Sequence, residues 1–286
     1  MNIILICINN FQNYIRYNIV QLLDFGYNVI VVTNKKFFHK FNYFNNITLI
    51  NADEFDINQD KLFHLFEDDF WGSTSKRLFL LYYVMKKYNY QNCIHLENDV
   101  LLYNNFKDYK FENKIYLTMD AEDRCIPGII YIPQYKYLSN LILNYKIDKN
   151  DMINMALFYQ NNKDICVTFP IIKQNNSYNF NDNYSENFNL FGGIFDAAAI
   201  GQYLGGYFKF DKQIPKNVGE KCINETCIIN YNNYKFFWKK IKNRWFPYIE
   251  IEKQLIPIMN LHIHSKQLKN FLIFKPIEDR MIKFLE

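Results

Sequence analysis

Residues Asn2–Thr33 read NIILICINNFQNYIRYNIVQLLDFGYNVIVVT. Two apolar runs, Asn2–Ile8 and Asn28–Thr33, bracket a stretch in which Ile15, Ile19, Leu22 and Leu23 recur at helical spacing. Near-continuous apolar runs mark strands buried on both faces, and the four aliphatics form one face of a helix. Gly26 closes that helix, because glycine takes the left-handed conformation that a helix end requires. Strand, helix and strand within about thirty residues make a βαβ unit, so the sheet is expected to be parallel here.

Downstream, Ile47–Ile50 offers a third strand, and Ser73–Tyr88 a helix with Leu78, Leu81, Tyr82 and Met85 on one face. Cys93–Leu96 reads as another strand, followed by KIYLTM (Lys114–Met119) and GIIYIP (Gly128–Pro133). The expected fold class is therefore α/β, a mostly parallel central sheet flanked by helices, with a Rossmann-like nucleotide-binding half. The second half is less regular. Residues 174–189, QNNSYNFNDNYSENFN, read as an Asn-rich loop, and Leu190–Gly206, LFGGIFDAAAIGQYLGG, concentrates Gly and Ala. Thr226–Asn230 is expected to be a strand, and NLHIHSK (Asn260–Lys266) stands near the end. With neither repeats nor a Pro-rich or Gly/Ser-rich linker, residues 1–286 are expected to form one domain, with 1–135 as its nucleotide-facing half and 136–286 as the other.

Bulk properties exclude more than they assign. The chain has 286 residues and 49% hydrophobic composition, enough for a large core. Its 33 basic and 29 acidic residues leave +4, too weak a field to argue for a nucleic-acid partner. The 23 Tyr and 27 Phe are spread along the whole chain, as compositional bias spreads them, rather than clustered with basic residues as in a nucleic-acid platform. MNIILICINN is too short and lacks the flanks of a signal peptide, and no apolar run reaches membrane-spanning length. Six scattered cysteines, none in a CxxC pair, read as free thiols of a reducing compartment, hence a cytoplasmic protein. Cys222 and Cys227 are close enough in sequence to pair across a short loop.

The residues that carry chemistry lie at the ends of these elements. In HLENDV (His95–Val100), Glu97 and Asp99 share a face if the strand runs through them, and hard oxygen ligands suit Mg²⁺ or Mn²⁺. The plain alternative is a solvated turn, but apolar flanks make unpaired charges costly there. Ligands in open α/β sheets bind beyond the carboxyl ends of strands, where this pair falls. His262 and His264 alternate in LHIH and can present two imidazoles together, which favours Mn²⁺, or can be merely structural. Lys266 can answer a phosphate charge or be a surface lysine. The STS at 73–75 reads as a helix N-cap, putting Lys76 and Arg77 in the first turn, against the dipole, unless an anion compensates. Asp196 reads as the N-cap of a helix with a flat alanine face, and Gly192, Gly193, Gly205 and Gly206 supply flexible positions around it. The element is either a packing device or a wall on which Asp196 meets sugar or acceptor hydroxyls, with Gln202 nearby.

Taken in order, HLENDV, PGIIYIP, FDAAAIGQYLGG and LHIHSK resemble a GT-A glycosyltransferase, and look like enzymes of that kind from bacteria and giant viruses. HLENDV is similar to the superfamily's DxD motif, with Glu97 where the first Asp is usual. The resemblance spans residues 3 to about 270. It implies a single GT-A domain, Asp99 as a direct ligand of Mn²⁺ or Mg²⁺, and Glu97 on the metal or the ribose. It also implies that His262 or His264 completes the metal site. Arg77, Glu97, Asn98, Gln202 and Lys266 would bind the donor, a nucleoside diphosphate sugar, UDP-linked in the first instance. The reaction implied is hexose transfer to a hydroxyl of a glycan, protein or lipid, the metal stabilising the leaving diphosphate. An inverting enzyme also needs a base, for which Asp196 is the candidate; a retaining one does not. Two other readings stand beside it. A metal-dependent hydrolase or nuclease would need further inward carboxylates such as Asp120, Glu122 and Asp123, and a binding module would keep the fold without activity.

Overall fold

The computed structural model describes residues 1–55, 70–174, 182–205, 227–274 and 283–285. The opening segment folds as its pattern predicts. Strand β1 (Asn2–Cys7) pairs in parallel with β2 (Asn28–Thr33) across helix α1 (Ile15–Asp24). Gly26 (φ 71) ends that helix: its N–H donates to Leu23 O at 2.8 Å and Tyr27 N–H to Leu22 O at 3.1 Å. That pair of bonds is the Schellman closure, and the positive φ is what it demands of the residue. Strand β3 (Ile47–Asn51) joins the outer edge of β2, again in parallel.

Helix α2 (Phe70–Tyr88) leads into β4 (Gln91–Leu96), which lies parallel to β1 on the other side. Strand β5 (Val100–Leu102) follows, then β6 (Ile115–Ala121) and β7 (Arg124–Gln134), the latter antiparallel to β4. Helices α3 (Ser139–Leu143) and α4 (Asp151–Asn161) precede β8 (Cys166–Thr168). The seven-stranded sheet runs β3-β2-β1-β4-β7-β6-β8. It is the mostly parallel, helix-flanked α/β sheet expected, and β1 and β2 are buried along almost their whole length. Cys7, Cys93 and Cys166 are buried thiols whose pKa burial pushes up. Cys222 lies outside the described residues.

Contacts gather the chain into two units: Met1–Asn98 with Phe111–Leu117 and Glu122–Val167, and Asp99–Lys110 with Thr118–Ala121 and Thr168–Glu286. The second unit contains α5 (Phe188–Phe191), α6 (Ile200–Gly205) and a sheet ordered β11-β10-β9-β13. Its strands are β9 (Lys235–Ile241), β10 (Arg244–Ile251), β11 (Gln254–Pro257) and β13 (Lys283–Leu285); β12 (Asn260–His262) pairs separately with β5. The pattern reading missed the β9–β10–β11 meander for a physical reason. Its two-residue turns, Lys242-Asn243 and Glu252-Lys253, all have positive φ (48 to 63) without a glycine to announce it. The strand expected at Thr226–Asn230 is absent from the described part, where residues 227–229 form a bend.

Candidate metal and donor site

In the second unit the site is built by a strand ladder. Strands β5 and β12 run antiparallel with Val100 opposite His262, and Ile263 N–H extends the ladder to Asp99 O at 2.8 Å. Positions on adjacent strands are thereby fixed side by side. His262 Nε2 comes to 3.2 Å from Asp99 Oδ2, and the Lys266 ammonium pairs with that same oxygen. Asp99 and His262 are buried. Burial alone would raise the Asp99 carboxyl, but Lys266 and His262 outweigh it and hold it well below the usual range. The His264 ring lies 4.4 Å from that of His262, and its Nε2 is 3.5 Å from Gln202 Nε2. Burial, then the neighbouring His262, depress His264 well below an ordinary histidine, so it is neutral and able to act as a ligand.

Asp196 supports this ladder. Its Oδ1 accepts the N–H groups of Ala199 and Ile200, and its Oδ2 those of Gly201 and His262, all at 2.8 Å. Burial pushes this carboxyl up against the pull of those donors. Gly201 is where α6 meets β12: a Cβ there would stand 2.1 Å from His262 O and 2.8 Å from Asp196 Oδ2. Asp196 is not the N-cap residue expected, because α6 starts four residues later at Ile200; its side chain nonetheless takes the N–H groups of Ile200 and Gly201 at the helix start. The alanines do not make a helix face, however. Ala197–Ala199 precede α6, with Ala198 at φ 59, because the carboxylate gathers their backbone into a tight turn. Gly206 lies outside the described residues.

The first unit holds the other half of HLENDV, and here two expectations change. The strand does not run through the motif. β4 ends at Leu96, residues 97–99 turn, and β5 starts afresh at Val100. Asn98 sets that turn: its Nδ2 donates to Ile6 O at 2.7 Å and to Gln12 Oε1, while Asn18 Nδ2 reaches the carbonyls of Glu97 and Asn98. Secondly, Ser73–Ser75 is not an N-cap but lies within α2, where Thr74 Oγ1 donates back to Trp71 O at 2.9 Å. Lys76 and Arg77 therefore sit beyond the first described turn, and what balances Arg77 is a pair of carboxylates. Arg77 is ion-paired with Glu97 and lies 3.8 Å from Asp151 Oδ2.

Asp151 escaped the sequence reading. It stands in the first turn of α4, whose N-cap Asn150 accepts the Ile153 N–H at 3.0 Å. Its signal was a carboxylate on the buried stripe shared with Asn154, Met155 and Phe158. Burial pushes Asp151 up to about 6, Arg77 opposing and Glu97 assisting. His95 is likewise buried, with Nδ1 2.9 Å from Ile4 O, and burial lowers it to about 4. It is a core histidine. Of the further carboxylates a two-metal hydrolase would need, Asp120 is buried in β6, whereas Glu122 and Asp123 are exposed at the β6–β7 turn.

A carboxylate oxygen and an imidazole nitrogen converging at 3.2 Å are donors that divalent ions take, so the residues present fit a divalent metal. No family model and no curated protein sequence matches the chain. Among solved structures it is similar to the PaToxG glycosyltransferase, at 19% identity and TM-score 0.40 over 56% of this chain and 69% of that one. The galactosyltransferase LgtC, in complex with donor and acceptor sugar analogues, gives 13% and 0.33 over 66% and 70%. An inositol-1-phosphate CTP transferase from T. maritima gives 10% and 0.36 over 59% and 84%. None of the described helices is long and apolar enough to cross a membrane.

Proposed function

We propose that the protein is a metal-dependent glycosyltransferase that moves a hexose from a nucleoside diphosphate sugar, UDP-linked in the first instance, to a hydroxyl acceptor. The observation that carries this reading is the buried Asp99–His262 pair, set by the β5–β12 register beside Lys266. Asp99 and His262 would hold Mn²⁺, with His264 in reserve beside them. When bound, a divalent cation supplies neutralisation of the leaving diphosphate. Lys266 would add a positive charge for the same phosphates, and Gln202 a hydrogen-bonding group beside His264. Arg77, Glu97 and Asn98 are proposed as donor-binding residues, Glu97 on the ribose or the metal. Asp196, whose two oxygens each accept two backbone N–H groups, we assign to bracing His262 rather than to deprotonating the acceptor.

The test is hydrolysis or transfer from a panel of UDP- and GDP-sugars with and without Mn²⁺, comparing the parent with Asp99→Ala and His262→Ala. Losing a ligand should cost at least about a hundredfold, since even residues that only orient ligands cost up to that much. Activity unchanged in both variants would remove the metal site.

A further inference from the structure

Lys266 and His262 address the same oxygen of Asp99, Oδ2. An ammonium seated there occupies lone-pair directions that a divalent cation needs, and two cations on one oxygen repel. The two partners are unequally placed. The Asp99 side chain is 7% exposed, whereas that of Lys266 is 30% exposed, so the lysine has a way out to water and the carboxylate does not. The lysine stands at the end of a turn. Lys266 has φ 59, a left-handed conformation that side chains disfavour, and its N–H closes a turn onto Ile263 O at 2.9 Å.

We infer that Lys266 is a built-in competitor of the metal: it neutralises Asp99 when no divalent ion is bound, and gives up that oxygen when one arrives. This rests on the metal reading of Asp99 and His262 given above. Metal alone then binds weakly, because it must displace an ammonium. A diphosphate strengthens that binding by offering the displaced lysine a new partner, and by linkage the metal strengthens diphosphate binding by the same factor.

Calorimetric titration of Mn²⁺ alone into the full chain tests this, using the parent, Lys266→Met, Lys266→Gly and Asp99→Asn. Both lysine variants should bind Mn²⁺ about tenfold more tightly than the parent, equivalent to ~1.4 kcal/mol. Lys266→Gly also relaxes the backbone, so agreement between the two assigns the effect to the lost ammonium. Added UDP should tighten Mn²⁺ binding more in the parent than in either variant. Parental affinity in both lysine variants, at a site that Asp99→Asn abolishes, would overturn the competitor role and leave the metal site standing. Mn²⁺ binding that Asp99→Asn does not alter would remove the metal site, and this inference with it.

Discussion

Asp151→Asn should stabilise the protein increasingly as pH rises from acid to neutral. The carboxyl is buried among Arg77, Thr74 and the start of α4, and burial lifts it from 3.8 to about 6. A folded-state pKa above the unfolded one means that the folded protein binds the extra proton between those values. The stability this contributes is present in full below 3.8 and is lost as pH rises through 6. At ~1.4 kcal/mol per unit, the interval corresponds to about 3 kcal/mol. Asparagine is nearly isosteric and does not titrate, so it escapes this loss, while Arg77 keeps Glu97 as its partner. The gap in unfolding free energy, variant minus parent, should grow by about 3 kcal/mol between about pH 3.5 and pH 7. Urea unfolding followed by tryptophan fluorescence at several pH values measures it, with equal m-values as the control that the unfolded states match. A gap independent of pH would refute the reasoning. One that grew toward acid would show Asp151 to be a carboxylate depressed by Arg77.

Two further substitutions probe the second unit. Gly201→Ala puts a methyl group 2.1 Å from the backbone oxygen of His262, which cannot rotate away as a side chain would. It should lower stability by ~1–3 kcal/mol in urea unfolding and weaken Mn²⁺ binding in the same preparation. Asp196→Asn turns one acceptor oxygen into a donor and leaves two of the four backbone N–H groups unmet. At ~1–3 kcal/mol for each buried unmet donor, unfolding free energy should fall by ~2–6 kcal/mol. A catalytic base would instead show lost turnover with the unfolding midpoint unchanged.

The first unit was largely legible in the sequence because its strands are buried on both faces. β1 and β2 announce themselves by continuous apolar runs, and Gly26 marks the turn between α1 and β2 where only a positive φ will serve. What the pattern could not give was the break inside HLENDV. Alternation suggests that Glu97 and Asp99 share a face, but Asn98 ties the turn to Ile6 and Gln12, some ninety residues upstream. That is a tertiary decision, invisible to any local window. The meander of the second unit was hidden for the opposite reason, a local one, since its turns adopt positive φ with Lys, Asn and Glu. Arg77 was noticed as a cation short of an anion, and it has two. Asp151, the second, sits on a helix whose amphipathic pattern hides a buried acid among apolar neighbours.

The candidate metal site shows how little of such a site lies in its ligands. Asp99 and His262 are separated by most of the chain, and what brings Nε2 to Oδ2 is the register of two three-residue strands. Strands that short have few ladder bonds to hold their register, so something else must fix β12. Asp196 does so by accepting the His262 N–H with the same oxygen that takes the N–H of Gly201. That shared acceptor is possible only because residue 201 has no side chain to keep α6 away from the His262 carbonyl. The sequence FDAAAIGQ therefore works as one device: the aspartate clamps, the alanines let the turn close, and the glycine admits the helix. Each oxygen of that carboxylate already accepts two backbone N–H groups, so an acceptor hydroxyl reaching it would have to displace one of them. We therefore propose that an inverting reaction takes its base from another residue, and turnover of Asp196→Asn measured beside its unfolding midpoint tests this.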